Sequence, residues 1–244
     1  MGYYSIPKEQ WRSFLKISDD DLPDKLIIQG AIDFPGYIER RSQVLENVRP
    51  GWMPNLIIGE YGGQTIAYGI CFGGPIASQF THIYCKMGTR AVVQIGICGG
   101  LQKDIEIGDI IVSKRVLSLD GSASLYKQTG EHVTFDQGLR DRAISTLEEG
   151  DVEFHVGDTV SYYDIILQEE RDLIDLSREG YIAVEMEAAA VGAVAQHFNT
   201  PALSLLTVSD NSISGKDLFY QQTDDERRKI QEGLDLIFDT ALQL

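Results

Sequence analysis

Three acidic residues occupy positions at which a folded chain could use them for chemistry. Glu185 and Glu187 flank Met186 at the start of an alanine-rich segment, and Asp210 follows the apolar run 202–208 closely. Unpaired N–H groups and the helix dipole favour carboxylates at a helix N-terminus, which by itself would account for both glutamates. Glu187, however, is followed by small apolar residues typical of a buried helix. A buried carboxylate needs hydrogen-bond donors, and the two adjacent hydroxyls of a ribose would supply them.

Asp210 permits two interpretations. It is either a turn or capping residue behind a strand, or a carboxyl group in a poorly solvated pocket. In the second case burial would raise its pKa, and the protonated acid could donate to a leaving group.

Glycines follow two of the apolar runs and would let the backbone approach a ligand closely. Gly30 follows the first run, and Gly96, Gly99 and Gly100 follow the run 91–95. Their spacing matches neither the dinucleotide-binding fingerprint nor the phosphate loop that precedes Lys-Ser/Thr. A tight exit from a strand accounts for these glycines equally well.

Short apolar, β-branched runs alternate with helix-like segments, and these elements must position the residues above. The predicted strands are 26–29, 56–59, 65–72, 91–97, 109–116, 152–160 and 202–208. The predicted helices are 37–47, 76–87, 139–148, 168–178, 185–197 and 224–242. The alternation indicates an α/β fold with a mostly parallel or mixed sheet covered by helices on both faces. Ligands of such sheets bind beyond the carboxyl ends of the strands, where Gly30, Gly96 and Asp210 would meet.

The composition excludes several classes of protein and ligand. The 244 residues are 43% hydrophobic and contain no linker-like stretch, so we predict one domain over 1–244, with 1–24 as an N-terminal extension. A net charge of −16 argues against a nucleic-acid polymer or an anionic membrane surface as partner. The histidines show no metal-ligand spacing, and no motif implies a cofactor. Three cysteines in apolar stretches, without a CxxC pair, are typical of reduced, buried thiols in the cytoplasm.

Four segments together resemble the nucleoside phosphorylase family, one branch of which contains nucleosidases that use water. They are Gly30 after the first strand, GICGGL at 96–101, VEMEAAAV at 184–191 and TVSD at 207–210. The resemblance implies a mixed central β-sheet that closes into a distorted barrel flanked by helices. It also implies cleavage of the N-glycosidic bond of a nucleoside, in a homo-oligomer built from dimers and as large as a hexamer.

The same resemblance assigns roles to individual residues. Glu187 corresponds to the carboxylate that binds the ribose hydroxyls, and Met186 to the residue that packs under the sugar. Asp210 corresponds to the acid at the N7 edge of a purine, with Ser209 beside it. Members specific for pyrimidines generally lack this Ser-Asp pair, so the resemblance favours a purine-type base.

The residue that stacks on the base departs from the family pattern. Ile165 falls where the family places a phenylalanine. Tyr162 or Tyr163 is the aromatic residue that would compensate, which leaves the identity of the base open.

The sequence also departs from the family where phosphate is bound. Phosphorylases read Gly-Asp-Pro with an arginine shortly after, whereas this chain reads GAIDF at 30–34. Gln94 stands in place of a second arginine, and Ile97 in place of a hydroxyl residue. Each charge-assisted hydrogen bond is worth about 1.5–3 kcal/mol, so a phosphate site lacking them should be severely weakened. We therefore expect Gly30, Gln94 and Ile97 to line a pocket for water, with Asp33 as the base that activates it.

Three alternatives remain open at this point. Glu39 could replace Asp33 as the base. Arg40, Arg41 or Arg49 could enter the site, from the same chain or from a neighbouring subunit, and restore phosphorolysis. A chain that keeps the fold could also bind or store nucleosides without cleaving them.

Overall fold

Helices and strands alternate along the chain, of which the computed structural model describes residues 5–126, 130–150 and 152–244. The helices within these ranges are α1 (Lys8–Leu15), α2 (Phe34–Ser42), α3 (Gly74–Met87), α4 (Gln137–Glu149), α5 (Glu170–Arg178), α6 (Ala188–His197) and α7 (Asp224–Gln243). The strands are β1 (Lys25–Gly30), β2 (Glu46–Pro50), β3 (Leu56–Tyr61), β4 (Gln64–Cys71), β5 (Ala91–Gly100), β6 (Ile110–Ser118), β7 (His132–Thr134), β8 (Phe154–Ser161), β9 (Ala183–Glu185) and β10 (Ala202–Asp210).

The strands form one mixed sheet, part of which closes on itself. β5 pairs in parallel with β10, and β10 pairs antiparallel with β6. β6 pairs in parallel with β8, β8 in parallel with β9, and β9 antiparallel with β5, which completes a five-stranded barrel. From β5 the sheet continues through β1, β4 and β3 to β2. The predicted mixed sheet, closed into a distorted barrel and flanked by helices, is therefore confirmed.

Two elements next to the predicted site, β1 and α6, are buried over all or most of their length. Every residue of β1 is buried, as expected of a central strand with a parallel neighbour on each side. α6 is made of small apolar residues and is buried from Ala188 to Ala195. A helix that is apolar all round lies inside the core instead of covering it.

The bounds of two predicted helices differ from those in the structure. The predicted helix 37–47 ends at Ser42, because residues 46–50 form the edge strand β2, whose side chains are mostly exposed and carry no apolar pattern. The predicted helix 185–197 begins only at Ala188, because residues 183–185 pair with β5 and β8 as β9. Strands of three residues, such as β7 and β9, are too short to show a periodic pattern.

The N-terminal extension is attached to the body of the fold. Ile17 packs against Ile83 and Met87 of α3. Residues 1–4 of the predicted extension lie outside the described residues.

All three cysteines are buried and unpaired, as the sequence predicts. Burial raises the pKa of the Cys71 and Cys98 thiols. Among the helices of the described ranges, none has a stretch long and apolar enough to cross a membrane.

Candidate active site

A cleft of about 470 Å³ opens at the carboxyl ends of β1, β5 and β10. Seven residues of the predicted site line it, namely Gly30, Ile97, Ile165, Met186, Glu187, Ser209 and Asp210. The parallel pairing of β1 with β5 and of β5 with β10 places the three strand ends side by side. Segments far apart in sequence therefore meet at this edge of the sheet.

Glu187 lies between β9 and α6, lines the cleft and is only 5% exposed. Its carboxylate accepts a hydrogen bond from the N–H of Gly73, in the turn between β4 and α3. Gly73 has a φ of 88°, which glycine adopts without strain. A Cβ on Gly30 would lie 2.5 Å from Oε2 of Glu187, so any other residue here would require this carboxyl group to shift. Burial, and after it the charge of Glu185, raises the pKa of Glu187.

The carboxylate of Glu185, in contrast, is used by the fold. It accepts hydrogen bonds from the N–H groups of Glu187 at 2.6 Å and Ala188 at 2.7 Å, and from the hydroxyl of Ser161. The Ser161 oxygen in turn accepts the N–H of Ala189 at 2.8 Å. These bonds satisfy N–H groups at the start of α6 that have no partner within the helix. The helix N-terminus thus accounts for Glu185 but leaves Glu187 available to the cleft.

Asp210 reaches the cleft because β10 ends in a bulge. The pairing of β10 with β5 shifts between Val208 and Asp210, so that Ser209 is the extra residue and Asp210 lies opposite Gly99. The Ser209 hydroxyl donates to Oδ1 of Asp210 at 2.6 Å. Burial raises the pKa of Asp210, the hydrogen bond from Ser209 opposes this rise, and the charge of Asp217 adds to it.

The capping interpretation of Asp210 does not hold, since the next residue is the cap. The side chain of Asn211 accepts the N–H of Ser214 at 3.1 Å and begins the short 3-10 turn Ser212–Ser214. Asp210 is left as a largely buried carboxyl group that faces the cleft.

The sequence model of a protein family described as the phosphorylase superfamily matches residues 27–242, almost the whole chain. The chain belongs to this superfamily. It is 24% identical over 227 residues to a protein named guanosine phosphorylase from Halorubrum lacusprofundi, covering 91% of this chain and 92% of that protein. It is 26% identical over 191 residues to a protein named purine nucleoside phosphorylase DeoD-type 2 from Vibrio vulnificus, covering 76% and 79%. A uridine phosphorylase structure from Vibrio fischeri superposes with a TM-score of 0.81 at 20% identity, covering 93% of this chain and 94% of that one, and supports the fold.

Three residues predicted for the site of this superfamily member lie elsewhere. Gln94 is fully buried and shares hydrogen bonds with the Ser204 hydroxyl and the Ile95 carbonyl. It is three residues from Ile97, and residues at odd spacing in a strand face opposite sides. Asp33 is exposed and caps α2 by accepting the N–H of Gly36 at 3.1 Å. Tyr163 stacks on Tyr162, with ring centroids 4.5 Å apart, and lies outside the cleft lining.

The three arginines that could have rebuilt a phosphate site are engaged within this chain. Arg40 and Arg41 both bond Asp235 of α7, and Arg41 also donates to the Leu234 carbonyl at 2.9 Å. Arg49 bonds Asp21 at 2.8 Å. Among the described residues, no lysine, arginine or histidine lines the cleft.

The structure adds residues that the sequence analysis missed. Gly73 holds Glu187, and the sequence contained a signal for it, because the predicted strand 65–72 ends directly before Gly73. Ser161 had no such signal, since its contact with Glu185 depends on the pairing of β8 with β9. Asp217 and Phe219, which also line the cleft, follow the last predicted strand in a segment that carries no pattern.

Proposed function

We propose that this member of the phosphorylase superfamily cleaves the N-glycosidic bond of a purine nucleoside in the cleft. The observation that carries the proposal is the presence in one cleft of two carboxyl groups in different environments. Glu187 is deeply buried and held by a backbone N–H, whereas Asp210 bonds a hydroxyl at the end of β10. The names of the relatives, guanosine and purine nucleoside phosphorylases, support the same chemistry and the purine base.

The two carboxyl groups suit the two halves of the substrate. Breaking the bond leaves positive charge on the sugar and negative charge on the base. The carboxyl oxygens of Glu187 would accept hydrogen bonds from the ribose hydroxyls and hold the sugar beside Met186. Asp210, whose pKa is raised by burial, would donate a proton or hydrogen bond to the departing base.

Phosphate is the acceptor that the names of the relatives favour. A phosphate dianion in this cleft needs cations, because burying its charge unpaired is costly. Among the described residues, no cationic side chain lines the cleft. Phosphorolysis therefore needs cations from elsewhere, and we propose a neighbouring subunit as their source.

Water is the second candidate acceptor, and the chemistry of the cleft wall favours it. Ile32 and Ile97 line the cleft near Gly30 and are 78% and 43% exposed. Apolar side chains do not offset the free energy that is lost when phosphate is desolvated, whereas the free-energy cost of binding a neutral water molecule is small. Asp33 would have to leave its position as the cap of α2 to act as the base.

One experiment tests both the cleavage and the acceptor. Purified protein is incubated with guanosine, with and without millimolar phosphate, and the sugar product is identified. Ribose 1-phosphate formed only with phosphate establishes phosphorolysis, and free ribose at an equal rate in both buffers establishes hydrolysis. Binding of purine nucleosides without release of any base would contradict the proposal and indicate a nucleoside-binding protein.

A further inference from the structure

A second cavity, of about 290 Å³, opens at the other end of the strands that frame the cleft. Lys25 begins β1, Arg90 and Pro201 directly precede β5 and β10, and all three residues line the cavity. Since β1, β5 and β10 run parallel, their amino ends meet here and their carboxyl ends meet at the cleft. The length of these strands therefore separates this cavity from the candidate active site.

Three cationic side chains line the second cavity, namely Lys25, Arg90 and Arg142 of α4. Lys25 is only 3% exposed, which is rare for a lysine. Arg90 and Arg142 are exposed at the rim. In a chain with a net charge of −16, three cations around one cavity indicate a local site for negative charge.

The ammonium of Lys25 forms no ion pair with an aspartate or glutamate of the described residues. It donates to the carbonyls of Ala241 and Leu242 at the end of α7, both at 2.9 Å. An ammonium has three N–H groups, so these two bonds leave one for another acceptor. Burial, and after it the charge of Arg142, lowers the pKa of Lys25 to about 8, and the charge of Asp24 opposes this only in part. The lowered pKa is the response expected of a buried cation whose charge is poorly balanced.

The carboxylates of the cavity do not balance its cations. Asp24 pairs with Arg90 at 3.3 Å, and Asp136 is the cap of α4. The guanidinium of Arg142 donates to a backbone carbonyl at 3.3 Å and forms no ion pair with an aspartate or glutamate of the described residues. Three cations therefore face two carboxylates, and an anionic ligand would balance the charge that remains.

We infer that this cavity binds a phosphate group, either as inorganic phosphate or as part of a small phosphate ester. The guanidinium groups of Arg90 and Arg142 can each form paired hydrogen bonds with phosphate oxygens. Lys25 adds a third donor, which is fixed in place by its bonds to α7. The cavity is larger than a phosphate ion and leaves room for the organic part of an ester. The inference concerns a site outside the cleft and does not depend on the reaction proposed there.

Calorimetric titration tests this site at pH 7, where Lys25 is protonated. Inorganic phosphate and ribose 5-phosphate are the two probes, and NaCl holds the ionic strength constant, because salt screens exposed charges. We expect binding of both, with tighter binding of the ester if its organic part fills the cavity and equal binding if only the phosphate group is held.

Variants at the rim identify the site without disturbing the buried lysine. Arg142→Gln and Arg90→Gln each remove a charge-assisted hydrogen bond from an exposed side chain, so each should raise the phosphate Kd at least about tenfold. Arg140→Gln is the matched control, because it removes the same charge from the same helix at a residue that does not line the cavity. It should leave the Kd unchanged.

Two outcomes would overturn the inference. If phosphate binds the wild type, Arg142→Gln and Arg90→Gln equally well, it occupies another site, such as the cleft. If neither probe binds the wild type, the three cations are already balanced within the protein. Cleavage of guanosine is measured separately, so a failure of the proposed function would leave the binding result unchanged.

Discussion

A single extra residue decides what Asp210 can do. Along a regular strand, side chains alternate between the two faces, so a shift of one residue turns every later side chain to the opposite face. The bulge at Ser209 makes this shift just before Asp210, opposite Cys98 and Gly99 of β5. Ser209 also supplies the hydroxyl that bonds Asp210, so one residue both aims and holds the carboxyl group.

Asp210→Asn tests whether this residue acts as an acid. An amide keeps a hydrogen bond to the base but cannot transfer a proton on the same terms, so kcat for guanosine should fall about 10²- to 10⁴-fold. With 7-methylguanosine, whose purine already carries a positive charge, the loss should be much smaller, because this base leaves as a neutral molecule without taking up a proton. Steady-state kinetics on both nucleosides measure the difference. Equal losses on the two substrates would show that Asp210 does not act by proton donation.

Glu187→Gln should raise the stability of the protein at high pH and lower its activity. The folded-state pKa of Glu187 lies above the unfolded value because of burial and Glu185, so the native chain binds more protons than the unfolded one. The free energy of unfolding therefore falls as pH rises through this range. Glutamine does not titrate, and its oxygen can still accept the N–H of Gly73. The variant should match the wild type near pH 5 and exceed it by about 1 kcal/mol or more near pH 8, while losing activity.

Urea unfolding at several pH values measures this difference. Glu39→Gln is the control, because it makes the same substitution at an exposed residue of α2. A stability difference for Glu187→Gln that stays constant with pH would contradict the assignment of a raised pKa to this residue.

At the scale of elements, the sequence predicts the secondary structure of each segment more reliably than the contacts between segments. The runs that became β1, β4, β5, β6, β8 and β10 are visible as apolar stretches, and the residues behind β1, β5 and β10 do form the cleft. The family pattern placed Gln94 in the anion pocket, whereas the structure buries its side chain in hydrogen bonds with Ser204 and Ile95. Glu185 and Glu187 have different roles partly because Ser161 binds Glu185. Ser161 is 24 residues away in sequence, and the pairing of β8 with β9 brings it near.

A side chain at the end of β1 would displace the carboxyl group of Glu187. Gly30→Ala places a methyl group 2.5 Å from Oε2 of Glu187, which forces the carboxylate or the strand to move. We expect kcat/KM to fall at least about tenfold and the folded state to lose about 1–3 kcal/mol. Gly121→Ala is the matched control, because a Cβ there meets nothing within 4 Å. Kinetics and thermal unfolding of both variants measure the effect, and wild-type activity in Gly30→Ala would exclude the proposed position of the ribose.

At the scale of the molecule, the mouth of the cleft suggests that one chain is not the working unit. Exposed apolar side chains border it, including Ile32, Ile166 beside the cleft-lining Ile165, and Phe219. Large exposed apolar side chains grouped around a site favour burial against another protein surface. A second copy of the chain over this mouth would exclude water from the ribose and could bring the cations that phosphorolysis needs.

A variant that weakens assembly should therefore also lose the ability to use phosphate as the acceptor. We expect light scattering at micromolar protein to give a mass of at least twice 27.2 kDa, the mass of one chain. Ile166→Glu places a charge on a side chain that is 83% exposed and lies outside the cleft lining, so it should lower the assembled mass. Leu125→Glu makes the same change at an 84% exposed residue away from the cleft and should leave the mass unchanged.

The two variants also test the source of the cations. If a neighbouring subunit completes a phosphate site, Ile166→Glu should lose the acceleration by phosphate, while Leu125→Glu keeps it. A protein that hydrolyses nucleosides in one chain should release base in the absence of phosphate before and after dissociation. A mass of one chain for the wild type, combined with a strict requirement for phosphate, would contradict a neighbouring subunit as the source, because the cations would then have to come from the same chain.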